Sequence, residues 1–108
     1  MSMNQDARDI VALDKVIHEP ARLAIMAVLY ASDAADFLFL LNSTGLSKGN
    51  LSTHVAKLEE TGYVQVTKSF KGKIPNTTYA LTRQGRTSFA RYHKGLSQIT
   101  KRVGKAMQ

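Results

Sequence analysis

The periodicity of apolar residues changes at Gly62, and this change restricts the folds that the chain can adopt. Before it, Leu51, Val55 and Leu58 recur at spacings of four and three, which is the pattern of one helical face. After it, residues 63–67 (Tyr-Val-Gln-Val-Thr) alternate and are rich in β-forming side chains, so they predict a strand. A helix that passes into a strand at a glycine indicates an α+β domain, and the helical segments make it mostly α.

The segment after this strand predicts a two-stranded β-hairpin over about residues 63–81. Lys71-Gly72-Lys73 has the composition of a hairpin tip, and residues 77–81 have that of the returning strand. Pro75 must then lie in the loop or at a strand edge, because proline cannot donate a hydrogen bond to a ladder.

The residues before the hairpin predict four helices, over about residues 6–18, 20–31, 36–43 and 47–61. Pro20 suits the first position of a helix, where its missing N–H costs nothing, but Glu19 is a mediocre N-cap before it. Ser47 is a good N-cap, and Gly62 suits the end of the same helix. The glycine-containing turn at Gly45 joins two short helices, which is the layout of a helix-turn-helix over about residues 36–61.

A last helix is predicted over about residues 82–106, with Thr82 as its N-cap. Its apolar positions repeat at spacings of four and three, and a small domain cannot cover all of them. We therefore expect a homodimer held mainly by this helix, with recognition helices about 34 Å apart. The expected interface residues are Ile10, Leu13, Ile17, Tyr92, Leu96, Ile99 and Val103.

The charge of the chain is strongly asymmetric. The net charge is +7, but residues 1–47 carry three bases and six acids, whereas residues 48–108 carry twelve bases and two acids. No acidic residue follows Glu60. A cationic half of this kind is typical of a protein that binds a polyanion, either nucleic acid or an anionic membrane.

The order of elements makes the sequence recognisable. Residues 46–64 (LSKGNLSTHVAKLEETGYV) resemble the recognition helix and first wing strand of bacterial winged-helix transcription regulators. Residues 17–32 resemble the helix before the helix-turn-helix, and residues 79–92 resemble the strand-to-helix junction of MarR-type regulators. The chain departs from longer MarR-type proteins, which end in two dimerising helices, and it lacks the cysteines of ArsR-type metal sensors.

The resemblance implies a single winged-helix domain over residues 1–108 that binds double-stranded DNA as a transcriptional regulator. Its recognition helix would enter the major groove, and its wing would touch the flanking backbone or minor groove. Asn, Ser, Thr and Lys side chains can contact base edges or phosphates. His54 has two open interpretations, a phosphate contact or a cap on the core edge. The expected DNA-binding residues are Ser47, Lys48, Asn50, Ser52, Thr53, His54, Lys57, Lys68, Lys71 and Lys73.

Other functional classes find less support in the sequence. The motifs of common enzyme classes are missing, His18, His54 and His93 lack zinc-like spacing, and we expect no cofactor and no metal. The chain has no cysteine, no apolar run of membrane-spanning length and no secretory signal, so we expect a cytoplasmic protein without a membrane partner. A non-specific architectural nucleic-acid-binding protein remains the alternative function, and the sequence identifies no small-molecule effector.

Overall fold

A computed structural model describes residues 3–108 of the chain as five helices and a small antiparallel sheet. This order confirms the mostly helical α+β winged-helix fold that the sequence predicts. The elements are α1 Met3–Val11, α2 Pro20–Tyr30, β1 Ala35–Asp36, α3 Phe37–Thr44, α4 Lys48–Thr61, β2 Val64–Lys71, β3 Ile74–Leu81 and α5 Arg83–Ala106.

The core lies where α2, α3 and α4 meet the base of the hairpin. The apolar face of α2 is completely buried at its centre, and α4 presents to it the face that its four-and-three spacing predicts. The fully buried side chains in the described part of the chain are Ile17, Ile25, Met26, Leu29, Leu40, Leu51 and Leu58.

Side chains cap the first turns of four helices and so fix where each helix begins. Ser47 accepts a hydrogen bond from the backbone N–H of Asn50 at 3.1 Å, and Thr82 accepts one from Gly85 at 2.9 Å. Both caps confirm the sequence prediction. Glu19 is a better cap than its residue type suggests, since its carboxylate accepts from the backbone N–H of Arg22 at 2.8 Å.

The sheet has the strand order β1-β3-β2, and all of its pairs are antiparallel. In the hairpin, Val64 pairs with Leu81 at the base and Phe70 pairs with Pro75 near the tip. Pro75 is tolerated there because β1 pairs with β3 only at residues 78–79, which leaves the outer edge of β3 open beside the proline. Gly72 has a φ of 65°, which suits the first position of a two-residue hairpin turn.

The first helix is shorter than the sequence predicts. It ends at Val11 and not near residue 18, because the Asp14 carboxylate accepts hydrogen bonds from the backbone N–H groups of Val16 (2.9 Å) and Ile17 (3.2 Å). Such a local side-chain contact competes with helical hydrogen bonding and favours a turn. The turn directs Ile17 into the core, where its side chain is fully buried.

The expectation that the last helix lacks cover from its own domain is corrected by the packing of α1. Arg102 of α5 donates from Nε to the carboxylate of Asp6 and from Nη2 to that of Asp9 at 2.8 Å, and α1 lies along the outer half of α5. Ile99 is only 4% exposed as a result. Of the expected interface residues, Ile17, Tyr92 and Ile99 are therefore buried within one protomer and have little surface left for a partner.

Candidate nucleic-acid interface

The recognition helix α4 has two distinct faces. Leu51, Val55 and Leu58 pack into the core, so the side chains between them point away from the protein. No acidic residue lies on α4 before Glu59. Six of the expected DNA-binding residues on this segment are exposed: Ser47, Lys48, Asn50, Ser52, Thr53 and Lys57.

Two hydroxyl groups on this face already have intramolecular partners. The Ser47 oxygen accepts from the N–H of Asn50, and the Thr53 hydroxyl donates to the Gly49 carbonyl at 2.9 Å. The exposed amide of Asn50 and the ammonium of Lys48 are therefore the more available groups for base or phosphate contacts. Gly49 has no heavy atom within 4 Å of the position of a Cβ, so a ligand backbone can approach the helix closely there.

His54 sits at the side of this face and contacts α2. Its Nδ1 lies 3.2 Å from a terminal guanidinium nitrogen of Arg22 and 3.8 Å from a carboxylate oxygen of Glu19. Because arginine can only donate, a neutral His54 accepts at Nδ1 and carries its proton on Nε2. This tautomer leaves an N–H available for a phosphate, so both interpretations of His54 are compatible with its position.

Glu19 is the negatively charged member of this cluster. The pKa of its carboxyl group is lowered, chiefly because the backbone N–H of Arg22 donates to the carboxylate. The charge of Arg22 adds to the effect, as does that of His54 when its ring is protonated. Arg22 also donates from Nε to the carbonyl oxygen of Val16 at 2.6 Å. The cluster therefore connects the turn before α2 to the recognition helix.

The wing supplies the second cationic surface. Lys68, Lys71 and Lys73 are all exposed on the outer part of the hairpin. Every residue from 67 to 75 is exposed, so this part of the hairpin stands clear of the core. Among residues 3–108, none of these three lysines forms an ion pair with a carboxylate.

A cleft of about 520 Å³ separates α1 and its following turn from α5. The Tyr63 hydroxyl donates to Asp14 at 2.5 Å at this cleft, and Tyr92 contacts His18 through its hydroxyl at 2.6 Å. Burial raises the pKa of both tyrosines, and the neighbouring Asp14 raises that of Tyr63 further. Sequence patterns give no signal for these contacts, because the paired residues are 49 and 74 positions apart.

Two kinds of site receive no support from the described residues. Between residues 3 and 108, no group of three His, Cys, Asp or Glu side chains is placed to hold a metal ion. In the same range, no helix has the length and apolar character needed to cross a bilayer.

Comparisons with known proteins indicate the same class of domain. Residues 21–100 match the family model of the winged helix DNA-binding domain. The chain is 34% identical over 90 residues to the uncharacterized protein MJ0432 of Methanocaldococcus jannaschii, and the match covers 82% of this chain and 97% of that protein.

Solved structures agree with the family match. A transcriptional regulator homologue from Pyrococcus horikoshii is similar with a TM-score of 0.83 and 25% identity, over 92% of this chain and 97% of that one. A MarR-family regulator from Enterococcus faecalis has the same fold, with a TM-score of 0.77 and 17% identity, over 99% and 94% of the two chains. The chain thus belongs to the family of winged helix DNA-binding domains, and its fold is that of MarR-like transcriptional regulators.

Proposed function

We propose that this protein is a transcriptional regulator that binds a specific sequence of duplex DNA as a homodimer. The observation that carries the proposal is the exposed face of α4, which is polar and basic and has no carboxylate before Glu59. A face of this composition can place hydrogen-bonding groups against base edges in the major groove. The lysines of the wing then neutralise phosphates beside the same site.

Asn50 is the best placed side chain for reading a base. It is exposed in the first turn of α4, and only its backbone N–H is used by the Ser47 cap. An asparagine amide can pair with the N6 and N7 of adenine, which discriminates one base pair from the other three. Lys48 and Lys57 flank it with positive charge.

Exposed apolar side chains on the outer side of α1 support homodimerisation. Ile10 and Val11 at the end of α1 are 44% and 70% exposed, and Ala7 and Ala12 are exposed beside them in sequence. Exposed apolar side chains that lie together on one helix favour burial against a second surface. We therefore place the centre of the proposed interface on these exposed residues of α1 and not on the buried residues of α5. Leu13, Leu96 and Val103 lie at its margin.

Selection of bound duplexes from a random pool tests specificity. We expect an enriched inverted repeat, bound at least about 10³-fold more tightly than random DNA. Asn50→Ala should cost about 1–3 kcal/mol and relax the preference at one position of each half-site. Equal binding of all sequences would instead identify the protein as a non-specific architectural one.

The lysines of the wing are tested by salt dependence. Lys71→Gln combined with Lys73→Gln should weaken binding to every sequence and reduce the salt slope by about 0.9 for each phosphate that is no longer neutralised. Lys15→Gln is the matched control, because Lys15 is an exposed lysine in the turn before α2. An unchanged slope in the wing variant would show that these lysines do not contact DNA.

A further inference from the structure

The outer end of the wing carries large apolar side chains beside three lysines. Phe70 is 72% exposed and Ile74 is 71% exposed, and Pro75 lies opposite Phe70 in the strand register. The sequence pattern places these residues in the hairpin and gives them no further role. These side chains do not contribute to the packing of the folded protomer, because they are too far along the hairpin to reach the core.

The strand register shows why they are free. On β2, Val64 and Val66 face the core, and the alternation of side chains places Phe70 on this same face. The described residues from Thr67 to Lys71 are all exposed, so the hairpin extends roughly 17 Å beyond its last core residue, at 3.4 Å per residue. The buried face of the hairpin base thus continues outward to Phe70 and Pro75, whereas Ile74 pairs with Lys71 on the opposite face of the hairpin.

The charges around this end indicate which partner it fits. Lys68 shares the face of Phe70, Lys71 shares the face of Ile74, and Lys73 lies in the turn between the strands. An apolar surface meant for a protein partner or a second copy would be weakened by three uncompensated cations. A duplex offers phosphates for the lysines and stacked base steps for the apolar groups, and its minor groove is only about 7.5 Å deep.

We propose that Phe70 and Ile74, which lie on opposite faces of the wing near its tip, together form an apolar wedge that enters the DNA minor groove beside the major-groove site and bends the duplex there. Side chains of this type unstack a base step in proteins that bind the minor groove, with bends of about 20–90° toward the major groove. The wedge rests on the proposed function, since α4 and the lysines must first bring the wing to DNA. It adds a deformation of DNA that phosphate contacts alone do not produce.

The wedge also gives the wing a sequence preference. Pyrimidine–purine steps such as TA and CA/TG unstack most readily, so a site with such a step under the wing costs less to bend. We therefore expect duplexes selected from a random pool to be enriched in these steps flanking the half-sites, at positions where no side chain contacts a base edge.

Energy transfer across a selected duplex of about 30 base pairs, labelled at both ends, measures the bend. Wild-type protein should raise the transfer efficiency on binding, by an amount that corresponds to about 20° or more. Phe70→Thr with Ile74→Thr keeps β-forming side chains and should bind roughly tenfold more weakly, with most of the bend abolished and the salt slope unchanged. Phe70→Leu with Ile74→Leu retains an apolar wedge and should restore the bend.

Two controls separate the wedge from other effects. Phe39→Ala removes an exposed phenyl ring from α3 and should leave the bend intact. Lys71→Gln with Lys73→Gln should reduce the salt slope while the bound duplex remains bent. Circular dichroism of each variant checks that the fold is retained, as expected for side chains this exposed.

The outcomes distinguish the wedge from the proposed function. If the wild-type protein binds the duplex without bending it, or if the double threonine variant bends it equally, the wedge is wrong and DNA binding stands. A double threonine variant that changes self-association and leaves the bend unchanged would also overturn the wedge. If the wild-type protein binds no duplex at all, the proposed function itself fails.

Discussion

Arg22 and His54 are in direct contact between α2 and the recognition helix, with 3.2 Å between the guanidinium nitrogen and Nδ1. The same guanidinium donates to the carbonyl oxygen of Val16 in the turn before α2. One side chain therefore joins this turn to the helix that carries the proposed base contacts. Because arginine is always protonated, it also selects the tautomer in which His54 presents an Nε2–H outward.

Removal of the Arg22 guanidinium should lower both stability and DNA affinity. Arg22→Met preserves most of the packing but leaves Val16 and His54 without their donor, at a cost of about 1–3 kcal/mol. The midpoint of thermal unfolding should fall by roughly 4–8 °C for each kcal/mol. Arg83→Met is the matched control, because Arg83 is exposed, and it should change the midpoint little. Equal midpoints for both variants would contradict a structural role for Arg22.

Glu19 should stabilise the fold only while it is ionised. Its pKa is lowered in the folded protein, so its charge contributes stability above the pKa of the unfolded chain, and this contribution is lost as the pH falls through the folded value. Glu19→Gln keeps an oxygen that can cap Arg22 but removes the charge. The wild type should be more stable than this variant at pH 7, and the difference should shrink once the pH falls below about 4.3 and disappear below the folded pKa.

The capping oxygen of Glu19 can be tested apart from its charge. Glu19→Ala removes both, so it should cost about 0.5–2 kcal/mol, with part of that loss persisting at pH 3. Denaturant unfolding of the wild type and both variants at the two pH values measures the two contributions. The free energies of unfolding of the wild type and Glu19→Gln could also differ by the same amount at both pH values. That result would show that the charge of Glu19 does not stabilise the fold.

Gly85 should tolerate no side chain. A Cβ on this residue would lie 2.1 Å from the carbonyl oxygen of Tyr63, so α5 and the chain before β2 would have to separate. Gly85→Ala should destabilise the protein by about 1–3 kcal/mol or more, as measured by denaturant unfolding. Gly104→Ala in the same helix meets no atom within 4 Å and should gain up to about 1 kcal/mol. A neutral Gly85→Ala would contradict the close packing.

The elements that the sequence predicts well are those with strong local signals. Ser47 and Thr82 cap their helices as expected, and Gly45 and Gly62 end theirs with positive φ angles of 71° and 90°. The hairpin and the long helix also agree with the prediction, because alternation and heptad-like spacing extend over many residues. The exposed face of α4 follows directly from its buried one.

The features that the sequence does not predict depend on contacts between distant residues. The apolar spacing of Ile10, Leu13 and Ile17 suggests one continuous helix, but the Asp14 carboxylate ends it and sends Ile17 into the core. The pairing of Arg102 with Asp6 joins residues 96 positions apart, and α1 covers the side of α5 that carries Arg102. The spacing of apolar residues along α5 shows that one face of the helix must be covered. It does not show whether the covering surface belongs to the same chain or to a second copy.

The choice of residue is decisive in testing the homodimer. Ile99→Glu would place a charge at a position that is only 4% exposed, so it would unfold the protomer and leave the interface untested. Val11 lies on the outer side of α1 and is 70% exposed, so a carboxylate there remains solvated in the monomer. Val11→Glu is therefore the variant that separates association from folding.

Sedimentation at micromolar concentration should give the wild type twice the protomer mass of 11.9 kDa, and Val11→Glu a single protomer mass with the circular dichroism of a folded protomer. Val11→Glu should not dimerise, because the interface would bury the added carboxylate without solvent or an oppositely charged group. Leu38→Glu is the control: Leu38 is 63% exposed on α3, so that variant should remain a dimer.

The Val11→Glu monomer should bind an inverted repeat far more weakly than the wild type, since each protomer then engages only one half-site. A wild-type monomer that binds one half-site tightly would refute the dimer, and a dimeric Val11→Glu would place the interface elsewhere.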